Sequence, residues 1–156
     1  MTSTVHLVRR FVGSLWPGGP PAAGERWVGE VLSEAELVLW RAMSGPDRRH
    51  AVGVARTVER DLGSVTTAPV LAAALLHDVG KVQSGLGTFG RVVATVAIRT
   101  GRADVRPSIA RYGEHARLGA EMLELAGSDP LTVTWARDHH LPSDQWSLDP
   151  VVAAAL

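Results

Sequence analysis

Residues 67–81 read TAPVLAAALLHDVGK, and this stretch decides the fold. As far as Val79 the segment is apolar on nearly every face, which predicts a helix buried in the middle of the domain. Gly80 follows, and we expect it to end the helix as a left-handed cap. Two ionisable residues, His77 and Asp78, therefore lie at the end of a buried helix.

The aspartate in this pair has to be compensated, because an ionised carboxylate is strongly unfavourable in an apolar environment. Asp78 has two ways to achieve this. It can accept hydrogen bonds from a neighbouring helix terminus or from an arginine such as Arg49, or it can bind a cation. The pair taken alone does not decide between these two roles.

The rest of the chain shows helical spacing or breakers and no convincing strand alternation, so the predicted fold is all-α. Ser33 and Glu36 have the spacing of a capping box, which opens a helix. Besides the central helix, the predicted helices cover about 4–15, 34–43, 46–62, 90–100, 114–126, 130–140 and 151–156. We expect residues 1–31 to form an N-terminal helical arm and linker, and residues 32–156 to form a single helical domain.

Composition narrows the classes of partner. The 156 residues fit one domain with a sizeable core. Equal numbers of basic and acidic residues, 16 of each, give no electrostatic argument for a nucleic acid or a membrane surface as a partner, and a small-molecule substrate remains open. The chain shows neither a secretory signal nor an apolar run of roughly 20 residues, the length of a membrane span, and a cytoplasmic location is the expectation.

The histidines point to metal chemistry. Without cysteine, any metal must be held by nitrogen and oxygen, a donor set that suits Mn, Fe, Co, Ni or Zn. Adjacent ligands on a helix point about 100° apart and can reach two different ions. Taken singly, a histidine is more often an ordinary core or surface residue. Five histidines fall at the ends or polar edges of predicted core helices: His50, His77, His115, His139 and His140.

The order of these residues resembles the HD superfamily of metal-dependent phosphohydrolases. The resemblance is carried by DRRHAVGVAR around His50 and by ALLHDVGKV around His77 and Asp78, and it covers roughly residues 34–156. It implies one or two divalent metal ions. It also implies ligand roles for His50, His77 and Asp78, and, by similarity to binuclear members such as the HD-GYP phosphodiesterases, for His115, His139 and His140.

Two departures from the binuclear pattern stand out. LPSDQW follows the histidine pair in place of a Gly-Tyr-Pro motif, so cyclic dinucleotide specificity is not implied. The family's distal aspartate normally lies within the final helix, and no residue here matches it. Asp149 directly precedes Pro150 and is expected to be a helix N-cap. The ending VVAAAL looks like a chain cut inside a helix, so we expect truncation at the C-terminus.

The resemblance implies that the protein hydrolyses a phosphomonoester or phosphodiester, and that this substrate is a nucleotide or cyclic nucleotide. It also implies that Asp78 and Lys81 are the catalytic residues. Lys81 would neutralise a phosphate oxygen, whereas Arg49 and Arg117 fit a surface role better. Asp138 is a candidate for orienting one imidazole, and facing water is the equal alternative. The alternatives are an HD-type signalling or nucleotide-binding module with weak or no catalysis, a metal-dependent oxygenase on the same helical core, and a helical interaction protein.

Overall fold

The part of the chain that the computed structural model describes is residues 18–86, 90, 94, 97, 107–142 and 145–148. Within these residues there are seven α-helices and two 3₁₀ segments with described bounds, and no strand, which confirms the all-α prediction. The helices are α1 (Ala22–Val31), α2 (Glu34–Ala42), α3 (Gly45–Leu62), α4 (Ala68–Leu76), α5 (Pro107–Gly113), α6 (His115–Leu125) and α7 (Pro130–Asp138). The 3₁₀ segments are Gly63–Val65 and Val79–Ser84.

Helix α4 is the centre of the core, as the apolar run predicts. It packs against α3 and α7, and every residue from Ala72 to Leu76 is at most 4% exposed. Three consecutive alanines let the neighbouring helices approach closely. Two leucines then fill the space near the end of the helix, and each fully buried leucine contributes about 1.5–3 kcal/mol relative to an exposed one.

The end of α4 differs from the prediction. The helix stops at Leu76, and the chain turns through His77 and Asp78 into the 3₁₀ segment. Gly80 is not a left-handed cap; among the described glycines, only Gly63, Gly85 and Gly127 have positive φ. Gly80 is needed instead because it has no side chain, which allows another helix to pack closely against this position.

A side chain at position 80 would collide with the backbone of α6. A Cβ placed there would lie 1.9 Å from the carbonyl oxygen of His115 and 2.6 Å from the amide nitrogen of Gly119. Helix α6 therefore crosses the 3₁₀ segment at backbone contact distance. This contact sets the position of His115 relative to Asp78.

Helices α4 and α7 run in the same direction. The hydroxyl of Thr132 in the first turn of α7 donates to the carbonyl oxygen of Pro69 in the first turn of α4, at 3.0 Å. The other ends of the two nine-residue helices also lie together, because the rings of His77 and His139, the residues that follow them, have centroids 5.3 Å apart. The histidines that follow both helices thus reach the same place.

Most of the predicted helix starts are confirmed. Ser33 and Glu36 form both hydrogen bonds of a capping box at α2. The side chain of Asp129 accepts from the amide of Leu131 and caps α7. Helix α5 was not predicted. The predicted helices over 4–15 and 151–156 lie outside the described residues, and of 90–100 only residues 90, 94 and 97 are described, as helical.

Helix α1 lies in the stretch that the sequence assigns to a linker. Val28 is fully buried in the core, and Glu25 accepts a hydrogen bond from the Trp40 indole and pairs with Arg48. This helix packs with α4. The boundary at residues 31 and 32 stays a prediction. Among the described helices, none has the length and apolar character needed to cross a membrane.

The Gly80 contact yields a stability prediction. Gly80→Ala is expected to destabilise the protein by about 2 kcal/mol or more, because the added Cβ overlaps backbone atoms of α6. Gly53→Ala is the matched control, since nothing lies within 4 Å of a Cβ there, and helix propensity predicts a gain of roughly 0.5–1 kcal/mol. Urea denaturation measures both changes. A wild-type midpoint for Gly80→Ala would contradict the close contact.

Candidate metal centre

The ends of several helices bring histidine rings together. His77 follows α4, His139 follows α7, His115 begins α6, and His50 lies in α3. The ring centroid of His77 is 5.9 Å from that of His50 and 5.3 Å from that of His139. The centroids of His115 and His139 are 5.5 Å apart. These four histidines, which lie up to 89 positions apart in the sequence, are therefore neighbours in the fold.

Three of these imidazoles are oriented by backbone carbonyls. The Nδ1 atom of His77 lies 2.9 Å from the carbonyl oxygen of Ala74, that of His139 2.8 Å from Ala136, and that of His115 2.6 Å from Tyr112. Each carbonyl is in the last turn of a helix, where carbonyls lack an intrahelical partner. Since a carbonyl only accepts, Nδ1 carries the proton. Nε2 is then left as a lone pair in the neutral ring.

These three Nε2 atoms converge on Asp78. The distance is 3.4 Å from His77 to Oδ2, and 3.6 Å from both His115 and His139 to Oδ1. Burial lowers the pKa of His139, so its ring is neutral at pH 7 and presents a lone pair to the carboxylate. Its Nε2 is buried and has no hydrogen-bond partner. A cation between these acceptors removes the repulsion, so the residues fit a metal ion.

The ligand atoms fall into two groups. His50, His77 and Asp78 form one group, and His115, His139 and His140 form the other, with the ligand atoms of each group within 4.8 Å of one another. Asp78 lies between them, because its Oδ2 faces the first group and its Oδ1 faces the second. All six residues that the sequence nominates therefore come together. Their role as ligands stays a prediction.

Three further residues were considered for contact with phosphate, and they have different partners. Lys81 is near: its ammonium donates to Oδ2 of Asp78. Arg49 donates to the backbone carbonyl of Gly18. Arg117 is exposed and pairs with two glutamates of α6 and its N-cap, which agrees with a surface role.

Asp138 is buried, and its recorded hydrogen bond is to the backbone and not to an imidazole. Its Oδ2 accepts from the amide of Ser147 at 3.0 Å and ties the following chain to α7. Backbone carbonyls orient three of the imidazoles, a role for which Asp138 was one candidate. Their signal was available, because Ala74 and Ala136 each lie three residues before a histidine at a helix end.

The sequence also missed Tyr112. Its half-buried ring lies beside His115, with centroids 5.5 Å apart and planes tilted by 32°. It sits on α5, a helix that the sequence did not predict, so periodicity gave no reason to place this ring near the histidines.

The surroundings of the site keep the Asp78 carboxylate ionised and two of the imidazoles neutral. Burial alone would raise the pKa of Asp78, but His77 in its protonated form, the Lys81 ammonium, and hydrogen bonds from His115 and His139 outweigh burial and hold that pKa well below its ordinary value. Burial, together with the charge of His139, lowers the pKa of His140 to about 4. At pH 7 the carboxylate is ionised while His139 and His140 are neutral, which is the form that ligates metal.

A comparison with known protein families agrees with this geometry. The chain matches the family model for the HD domain over residues 49–154, and it belongs to that family. HD-domain proteins are in general metal-dependent phosphohydrolases and bind divalent ions. The matched range contains all six nominated ligands. No curated protein and no solved structure matches the chain significantly.

The shared carboxylate predicts how metal stoichiometry responds to substitution. Wild-type protein dialysed against Mn²⁺ is expected to retain two ions per chain. The variants His140→Gln and His50→Gln each lose a ligand from one group, so each variant should retain one ion per chain. Asp78→Asn should lower the affinity for both ions, because the carboxylate that it removes faces both ligand groups. Elemental analysis measures these ratios, with His6→Gln as the control for losing a histidine. Wild-type stoichiometry in Asp78→Asn would contradict a bridging role.

The lowered histidine pKa values predict a pH dependence of stability. In the unfolded chain His140 titrates near its ordinary 6.5, whereas in the folded metal-free protein it titrates at about 4. Between these values the unfolded state binds more protons, so stability falls as the pH falls. His139 acts with the same sign.

Thermal melts of chelator-treated protein from pH 7 to 4 check this expectation. The melting temperature should drop across that range, and His140→Gln should flatten the drop. A melting temperature that stays constant or rises towards pH 5 would refute the burial of neutral imidazoles.

Proposed function

We propose that this protein hydrolyses a phosphate ester of a small molecule, a phosphomonoester or phosphodiester of nucleotide type, with a divalent metal ion at each of the two ligand groups. The observation that carries the proposal is the convergence of three imidazole Nε2 atoms on the buried carboxylate of Asp78. Membership in the HD family supports the general class of reaction.

The residues of the chain have distinct tasks in this proposal. A divalent ion, when bound, supplies Lewis-acid chemistry that acidifies water and withdraws charge from a phosphoryl oxygen. Asp78 joins the two ligand groups and fixes their separation. The carbonyls of Ala74, Tyr112 and Ala136 hold the imidazoles in the ligating tautomer. Because those carbonyls belong to helix ends packed in the core, the ligands are positioned before substrate arrives.

Lys81 is proposed to contact the substrate phosphate. Its ammonium is the cation beside Asp78, and it would neutralise a phosphate oxygen as charge builds in the transition state. The chain as a whole carries no net charge, which favours a small phosphorylated molecule over a nucleic acid.

The nucleotide-like substrate has support from Tyr112. Its ring adjoins His115 and is half-buried, so an aromatic surface lies at the edge of the ligand cluster. Base stacking on an aromatic side chain is a common way to bind nucleotides. This contact would orient the base while the phosphate meets the histidines.

Hydrolysis assays test the proposal. Protein supplied with Mn²⁺ is expected to cleave p-nitrophenyl phosphate or bis(p-nitrophenyl) phosphate, and to cleave a nucleotide or cyclic nucleotide faster. Asp78→Asn should lower kcat/KM by roughly 10³-fold, the scale of losing a principal electrostatic group. Asp61→Asn, an exposed aspartate paired with Arg60, is the matched control and should leave the rate unchanged. Metal binding without hydrolysis of any of these esters would favour the binding-module alternative.

A further inference from the structure

Lys81 has an unusual position for a lysine. It is the only lysine in the chain, which otherwise uses arginine for its positive charges. Its side chain is 13% exposed, and its ammonium donates to Oδ2 of Asp78, whose side chain is 5% exposed. A largely buried cation thus rests on the carboxylate that joins the two ligand groups.

The ammonium and a metal ion compete for the same oxygen. Oδ2 of Asp78 is also the carboxylate atom nearest to His77, at 3.4 Å from its Nε2. An ion bound to His50, His77 and Asp78 would draw on that oxygen, and two cations at one carboxylate oxygen repel each other strongly where water is excluded. Removing either cation leaves a buried carboxylate that needs the other.

We infer that Lys81 is an internal counter-ion that occupies Asp78 while the metal is absent and is displaced when the metal binds. The inference rests on the proposed function, which needs both the metal and a lysine directed at phosphate. The released ammonium then points towards the substrate phosphate. Metal loading and phosphate capture are coupled through one side chain, so the metal-free protein lacks a free lysine for phosphate.

Metal affinity tests the competition without any turnover. Calorimetry with Mn²⁺ should show that Lys81→Met binds the ion roughly tenfold tighter or more, because no ammonium opposes it. Lys81→Arg keeps the positive charge and should stay close to wild type. Arg60→Met removes an exposed cation that pairs with Asp61, and it controls for the change in net charge. Equal or weaker Mn²⁺ binding by Lys81→Met would overturn the inference.

The single lysine permits a second test on the wild-type protein, which does not depend on a variant folding. An N-hydroxysuccinimide ester should acylate Lys81 slowly in chelator-treated protein and faster after Mn²⁺ is added, because the released ammonium becomes accessible. Peptide mapping by mass spectrometry separates this product from acylation of the N-terminus. Mn²⁺-dependent protection of Lys81 would overturn the inference.

The outcomes distinguish this inference from the function on which it rests. If wild-type protein binds Mn²⁺ and hydrolyses esters while Lys81→Met shows unchanged affinity, the competition is wrong and the proposed function stands. If neither wild type nor Lys81→Met binds Mn²⁺, the metal centre and the competition both fail.

Discussion

The buried carboxylate of Asp78 is the constraint on which the rest of the structure depends. Three imidazole nitrogens point at it, and the ring of His139 is neutral, so the Nε2 lone pair of His139 faces a negative charge inside the protein. Without a cation, such an arrangement is repulsive. The ammonium of Lys81 relieves one oxygen, and the other oxygen still faces His115 and His139. The arrangement makes physical sense as a site that is completed by divalent ions.

The helices are arranged to produce this convergence. Helices α4 and α7 run side by side in one direction, which brings their C-terminal histidines together, and the Thr132 hydrogen bond to Pro69 fixes their starts. Helix α6 brings His115 in by crossing the 3₁₀ segment at Gly80. Backbone carbonyls at helix ends lack partners within the helix, and here three of them accept hydrogen bonds from the histidine rings and orient them. Core packing and ligand geometry are therefore the same set of contacts.

Sequence reasoning succeeded where the causes are local. The capping box of Ser33 and Glu36, the Asp129 cap and the apolar run of α4 depend on neighbours within a few residues, and all three are present. It failed for Gly80. A glycine is required there by close contact with His115, 35 residues further along the chain, and not by a positive φ at residue 80. The six nominated ligands came from a family pattern, and the way the two groups share Asp78 required the three-dimensional arrangement.

Anomalous diffraction from crystals grown with Mn²⁺ tests the central claim most directly, because it locates the ions without reference to activity. The account predicts one peak at each of the two ligand groups, which share Asp78. One peak should lie next to His77 and the other next to His115 and His139. The absence of any peak at Asp78, with the Nε2 atoms protonated and donating to its carboxylate, would contradict the account.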